Sequence, residues 1–178
     1  KFGLRTPAPV ASLPETHLTN LVMSAGRWMV PGGTNGFTGF LFDTYADGAQ
    51  KSRTAVSNGW LQGISQGWFT NGQSQVEEHF VKSVSHGTRT KWHSNGRKMS
   101  EAGIVDGKLH GLFSQWNEEG VLTGEVEMKD GKADGVARAF YPSGFVKTEV
   151  RMKAGEVVDQ KSFQDGEQKP EPRAATKP

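Results

Sequence analysis

Histidine is the residue in this chain best suited to hold a metal, and two of its five histidines recur at a fixed interval. His86 and His110 stand 24 residues apart, and Asp134 follows after another 24; His17, His79 and His93 complete the set. Two imidazoles and a carboxylate in one column would suit zinc. The spacing argues against it. If each interval is two strands of a sheet, equivalent residues lie ~10 Å apart, whereas zinc ligands lie ~2 Å from the ion. A polar residue placed just before a turn glycine is expected to bond the local backbone instead. Nucleophilic chemistry has little to start from. Cysteine is absent, which removes thiol nucleophiles, thiolate zinc sites and disulfides. No serine stands in a nucleophile-elbow motif. The adjacent carboxylates Glu77-Glu78 and Glu118-Glu119 point to opposite faces on a strand or sit solvated in a turn, so neither pair is expected to share a proton. No glycine-rich loop opens a helix to cradle a phosphate. The expectation is a chain that is not an enzyme and carries no catalytic, cofactor or metal site.

The sharpest column is aromatic. Trp68, Trp92, Trp116 and Phe140 recur at intervals of 24, with Tyr141 following the last of them. Thr44 takes the first place, with Tyr45 beside it. Rings at one position of a thin sheet supply its apolar face. The same rings, left exposed, would stack sugars or grip an extended peptide. Trp68, Trp92, Trp116, Phe140 and Tyr141 are therefore the candidate interaction surface.

The elements that position this column are set by glycine. Gly39, Gly63, Gly87, Gly111 and Gly135 form one series with a period of 24, and Gly48, Gly72, Gly96, Gly120 and Gly144 a second. Gly59, Gly107, Gly131 and Gly155 form a third, with Ser83 in its gap. Three series in one register demand the same backbone turns in every unit. Each unit runs strand, turn, strand, turn. Asn71-Gly72, Asn95-Gly96 and Asp47-Gly48 predict tight hairpin turns with both central residues at positive φ. Asp106-Gly107 and Asp130-Gly131 predict the second turn. Alternation turns Val76, Glu78 and Phe80 inward, then Ala102 and Ile104, then Leu122, Val126 and Met128, then Val146, Val150 and Met152. The opposite face collects Glu77, Glu101, Glu125 and Glu149 as a solvated column, with Arg89, Lys91 and Arg151 as cross-strand partners.

Three regions follow: residues 1–36 as an extended segment and cap, 37–158 as five hairpin repeats, and 159–178 as a partial cap with a polar, proline-rich tail. Prolines make residues 4–14 extended. A short helix is expected next, with Ser12 as N-cap, Pro14 early in it and Leu18, Leu21, Val22 and Ala25 on one face, lying as a lid on the first repeat. A degenerate strand around Arg27–Val30 is the alternative. The tail is too polar to offset the entropy of ordering and is expected to need a partner to become ordered.

Bulk properties fit a thin repeat fold. Only 34% of the 178 residues are hydrophobic and 23 are glycine. The formal charge of +2, from 21 basic and 19 acidic side chains, favours neither nucleic acid nor an anionic surface. No apolar run approaches the ~20 residues of a membrane span. A chain starting at Lys1 suggests a removed signal or anchor and a periplasmic or other extracytoplasmic location, with peripheral membrane association left open; an arbitrary start and a cytoplasmic location are the alternative.

The residues Trp92, Asn95-Gly96, Glu101, Gly107-Lys108 and His110-Gly111, repeated as Trp116, Gly120, Glu125, Gly131-Lys132 and Asp134-Gly135, resemble MORN-type repeats. The closer resemblance is to the bacterial variant loosely labelled antitoxin components. It covers about 120 residues. The resemblance implies an elongated, mainly all-β fold: a single-layer antiparallel β-meander of about five hairpin repeats with an aromatic-lined groove. It departs from the pattern at Ser83, and at His93 and Asn117 where an aromatic is usual. Stacked repeats build binding surfaces more often than reaction centres. The expected function is a protein–protein interaction or scaffold module, an accessory subunit of an envelope-associated assembly, partnered by another protein or a multi-subunit complex. The alternatives are a glycan or cell-wall binding module using the Trp column, and an antitoxin-like neutralising partner.

Overall fold

The computed structural model describes residues 12–170. The extended reading of residues 4–11 and the part of the tail in 171–178 lie outside the described residues. The chain is a β-meander. Five hairpins follow one another: β4 (Gly39–Thr44) with β5 (Gln50–Ser57), β6 (Trp60–Trp68) with β7 (Ser74–Val81), β9 (Gly87–Trp92) with β10 (Lys98–Val105), β11 (Lys108–Trp116) with β12 (Leu122–Lys129), and β13 (Lys132–Phe140) with β14 (Val146–Lys153). A short β8 (Val84–Ser85) pairs β7, and β15 (Glu156–Ser162) ends the sheet. Strand order follows chain order from β4 to β15, all antiparallel. Among the described residues the only parallel pair is at the first edge, where β1 (Glu15–His17) lies beside β4.

The expected N-terminal helix is absent. Residues 18–20 make one 3-10 turn, and β2 (Val22–Ser24) pairs β3 (Arg27–Met29) as a separate hairpin. Ala25 and Gly26 both take positive φ at its tip. The two-residue Ala-Gly turn and the β-strand at Arg27 override a weak helical periodicity. Of that expected apolar face, Leu21 is buried while Val22 is exposed. Leu21 packs with Leu41 and Val56, and Trp28, Phe37 and Leu61 close around them. The hairpin is held by Trp28 N–H donating to Gly59 O (2.8 Å) and by the Arg27 guanidinium on Asn58 O (2.6 and 2.9 Å).

The two turn classes are chemically distinct. At Asn58-Gly59, Lys82-Ser83, Asp106-Gly107, Asp130-Gly131 and Ala154-Gly155 both residues have positive φ, the two-residue hairpin turn whose twist matches that of the strands. The other turns differ from expectation. At Asp47-Gly48, Asn71-Gly72 and Asn95-Gly96 only the glycine has positive φ. There Gly72 N–H donates to Phe69 O (2.9 Å) and Phe69 N–H to Gln73 O (2.8 Å), and the same pair of bonds recurs in all five hairpins. This is the three-residue loop closed by a left-handed glycine. The asparagine is used as a clamp instead. Asn71 Oδ1 accepts from Gln73 N–H (3.1 Å), and its Nδ2 donates to Ser94 O of the next hairpin (2.8 Å). Asn95 repeats this with Arg97 and Glu118.

Candidate functional site

Strand register assembles the side chains into rows that cross the sheet. One row runs Phe42, Arg53, Gln66, Glu77, Thr90, Glu101, Ser114, Glu125, Arg138, Glu149, Lys161. The predicted glutamate column is therefore one face of the sheet, but it is not simply solvated. Glu125 is 8% exposed. Arg138 stands between it and Glu149, with its Nη1 3.5 Å from Glu125 and its Nε 2.7 Å from Glu149. Burial would lower the Arg138 pKa, yet the two carboxylates outweigh it and raise the value above the usual arginine range. Glu77 accepts from Gln66 (3.0 Å), and Glu101 pairs with Lys98 (2.5 Å). The expected partner Arg89 is on the other face, where it grips Glu78 alongside the Ser85 hydroxyl. Period-2 alternation settles this: Arg89 stands opposite Ala102, one residue out of phase with Thr90 and Glu101.

The opposite row passes through Leu41, Thr54, Ser65, Glu78, Arg89, Ala102, Phe113, Val126, Ala137 and Val150. Its second half is apolar as alternation predicts, and Ala102 and Ile104 are buried. From Thr54 to Arg89 it is polar, with Thr54 and Ser65 sharing a hydrogen bond of 2.7 Å.

Each column aromatic ends a strand at a register shift. The shifts fall at Gly67/Trp68, Gln115/Trp116 and Ala139/Phe140, and opposite Trp92 between Lys98 and Ser100. A bulge bends the strand and re-aims its side chain. Phe140 is buried beside Val146; Trp68, Trp92, Trp116 and Tyr141 are half-buried. Trp92 lines a depression of about 510 Å³ with Phe69, Gln75, Glu78, Arg89 and Lys91. Trp68 lines another of about 390 Å³ with Gln50 and Asn71. Lys98 Nζ lies 5.4 Å from the Trp116 ring centre. In three of the five units the residue after the column position is a clamp. Tyr45 donates its hydroxyl to Trp68 O (2.7 Å), His93 donates from Nε2 to Trp116 O (2.9 Å), and Tyr141 donates its hydroxyl to Phe163 O (2.9 Å).

The histidine column has a structural partner that its local context did not suggest. His86 Nδ1 lies 3.8 Å from the Asp106 carboxylate, and His110 Nδ1 3.8 Å from that of Asp130. Neither ring bonds the local backbone. The same column continues as Thr38, which accepts from Asn58 N–H (2.9 Å), Gln62 from Lys82 N–H (3.0 Å), and Asp134 from Ala154 N–H (3.2 Å). All five reach the first residue of the next two-residue turn, 20 positions on. The second residue of each such turn donates back to the preceding unit: Gly107 to Ser85 O (2.8 Å), Gly131 to Leu109 O (2.9 Å). The missed signal was the interval of 20 between two recurring positions, which is as regular as the period itself.

The two carboxylate pairs behave as read: Glu77 and Glu78 serve opposite faces, and Glu118 and Glu119 are exposed. At the first edge, the Lys51 ammonium hydrogen-bonds Asp43 (2.8 Å) and holds its carboxyl below the usual range, while Asp43 raises Lys51. Among the described residues no cluster of His, Asp and Glu is arranged to hold a metal ion, and no helix is long and apolar enough to cross a membrane.

No family model matches the chain, and no curated protein does. Among solved structures it is similar to TarM. One match is a mutant of S. aureus TarM in complex with fondaparinux, alpha-GlcNAc-glycerol and UDP, at 14% identity and a TM-score of 0.36, covering 53% of this chain and 19% of that one. Another is a crystal structure of TarM, at 15% identity and a TM-score of 0.36, covering 55% and 19%. The chain thus spans about a fifth of the length of these structures.

Proposed function

We propose that this chain is a non-enzymatic interaction module, a scaffold or accessory subunit that docks onto another protein. The observation that supports this is the row structure. One continuous meander presents ten successive strand positions of one face as an ordered sequence of charged and polar groups, from Arg53 through Glu77, Glu101 and Glu125 to Lys161. Side-chain and backbone clamps tie each hairpin to the next, so the rows keep their spacing. A rigid array of alternating polar groups suits recognition of a surface or an extended segment. Conserving that spacing is what a docking platform requires.

The test is capture of the tagged chain from gently solubilised cells, followed by mass spectrometry and reconstitution with purified components. A stoichiometric partner that rebinds in reconstitution supports the reading. A chain that stays monomeric and recovers nothing defeats it. A second reading has its own observation: Trp92 lines a depression together with four polar side chains, an arrangement able to stack and hydrogen-bond a sugar. Tryptophan fluorescence titration with wall glycans tests it, and an unchanged spectrum in the wild-type chain excludes it.

A further inference from the structure

The sheet stops covering itself at β15. This strand is outermost, and among the described residues nothing pairs with its outer edge. Val157 and Val158 are 61% and 67% exposed, more than any other large hydrophobic residue described. Phe163 donates its N–H inward to Lys147 O (3.0 Å). Main-chain direction alternates along an antiparallel strand, so Lys161 also bonds inward while Gln160 and Ser162 turn their N–H and C=O groups outward. An edge of this kind is a template for another strand.

Beside that edge, on the Glu149 face, lies a depression of about 360 Å³ lined by Arg138, Glu149, Arg151, Lys161, Phe163 and Lys169. Four cations surround one carboxylate, and Arg138 already holds that carboxylate. Among the described residues Arg151, Lys161 and Lys169 form no ion pair; Asp159, opposite Arg151 in register, does not pair with it. The register equivalents of Lys161 upstream are Arg138, Ser114, Thr90 and Gln66, so these alternate positions are neutral on β6, β9 and β11 and basic on β13 and β15.

We propose, resting on the docking reading above, that β15 takes an acidic extended segment of a partner protein as an added strand. Its backbone pairs with Gln160 and Ser162, and its carboxylates lie over Arg151, Lys161 and Lys169. The outward peptide groups select a polypeptide backbone, and the three unpaired cations select acidic side chains. A second copy of this chain fits less well, because a twofold axis at β15 would bring two basic depressions together.

The test titrates the full chain with an octapeptide of alternating Glu and Val, using a Gln–Val octapeptide as control. The expected result is binding of the acidic peptide that weakens with added salt, with amide exchange slowed at Gln160 and Ser162. Gln160→Pro removes an outward N–H without touching the inward ladder. Because that variant can distort the strand, the double variant Arg151→Glu, Lys161→Glu is tested beside it, with thermal unfolding as the folding control. Each is expected to weaken binding by roughly tenfold or more, as loss of complementary charge or of edge bonds does. No binding at millimolar peptide, binding indifferent to both variants, or dimerisation of the free chain through β15 overturns the proposal. A partner captured equally by the wild-type and charge-reversed chains also overturns it but leaves the docking reading intact. A chain that captures no partner defeats that reading itself.

Discussion

At the scale of single residues, Arg138 carries more of the face than its position suggests. It stands between a buried carboxylate, Glu125, and a half-buried one, Glu149. Removing one partner of such a set is costly because the carboxylates lose a partner they were desolvated to meet. Arg138→Ala is expected to destabilise the chain by ~1–3 kcal/mol, read as a lower urea midpoint at unchanged m-value. Nothing in the sequence singled out Arg138, since the equivalent positions are Gln66, Thr90 and Ser114, and only the register brings both glutamates to it. The Trp column divides in the same way. Trp92 is half-buried where Phe140 is buried, so Trp92→Ala is expected to cost less than the ~3–5 kcal/mol of a fully buried aromatic, and Phe140→Ala more than Trp92→Ala. Chemical denaturation of both variants decides the order. The pair at Asp43 and Lys51 gives a pH dependence with a definite sign. The ammonium lowers the Asp43 value, so its stabilising effect is present above the ordinary carboxylate range and lost as pH falls through the lowered value. The raised Lys51 value acts at the other end: its effect is present below the ordinary lysine range and lost as pH rises through the raised value. Lys51→Ala should move the Asp43 titration upward, measured by carboxyl NMR.

At the scale of elements, turn chemistry separates what the sequence could state from what it could not. The second and third glycine series mark the turns of the five hairpins, because a positive φ with no Cβ is a local demand. The first series does not mark turns: Gly63, Gly111 and Gly135 lie inside β6, β11 and β13, and Gly39 and Gly87 open β4 and β9, with positive φ in the strands. The turn type was not local. Asn71 and Asn95 look like the first residues of two-residue turns, yet each is recruited by a carbonyl of the next hairpin, Ser94 or Glu118. The N-terminal segment failed for the opposite reason. Its helical spacing was real, but Leu21 is buried by packing on Leu41 and Val56, which no window of the sequence contains. Glycine and its neighbours can be tested directly. Gly135 has a φ of +125°, and an added Cβ would lie 1.8 Å from Glu127 Oε2 and 2.8 Å from Glu127 Cβ. Gly111 has a φ of +80° and open space around it. Gly135→Ala should therefore cost more than Gly111→Ala, whose cost is the backbone strain alone, ~1–2 kcal/mol. The reverse gain is available at Ala154, which holds a φ of +52° before Gly155. Ala154→Asn recreates the Asn-Gly pair present at Asn58-Gly59 and is expected to stabilise by ~0.5–1 kcal/mol, seen as a higher melting temperature.

At the scale of the whole molecule, nearly every contact joins a strand to its neighbour in the chain; the long-range exceptions are the β1 edge and the N-terminal hairpin. The clamps obey the same rule. Each spans 20 to 23 residues, from one unit to the next and no further. Stability should then behave as a sum of unit terms and nearest-neighbour interfaces. Excision of residues 87–110 tests this, because it joins His86 to Gly111, and the removed segment begins and ends at equivalent positions. After it, His86 reaches Asp130 in the role of His110, and Trp68 precedes Trp116 in the column. The turn and asparagine clamps are regenerated with partners of the same type, while the His93 clamp leaves with the excised unit. The shortened chain is expected to fold to the same β signature, with a denaturant m-value lower in proportion to the surface removed. Excision of residues 99–110 removes the same kind of sequence but half a unit. It flips strand direction and breaks both clamp series, so it should not fold cooperatively. If the two deletions behave alike, the sheet is held by interactions that cross more than one unit, and the row order on its faces is not set by the period.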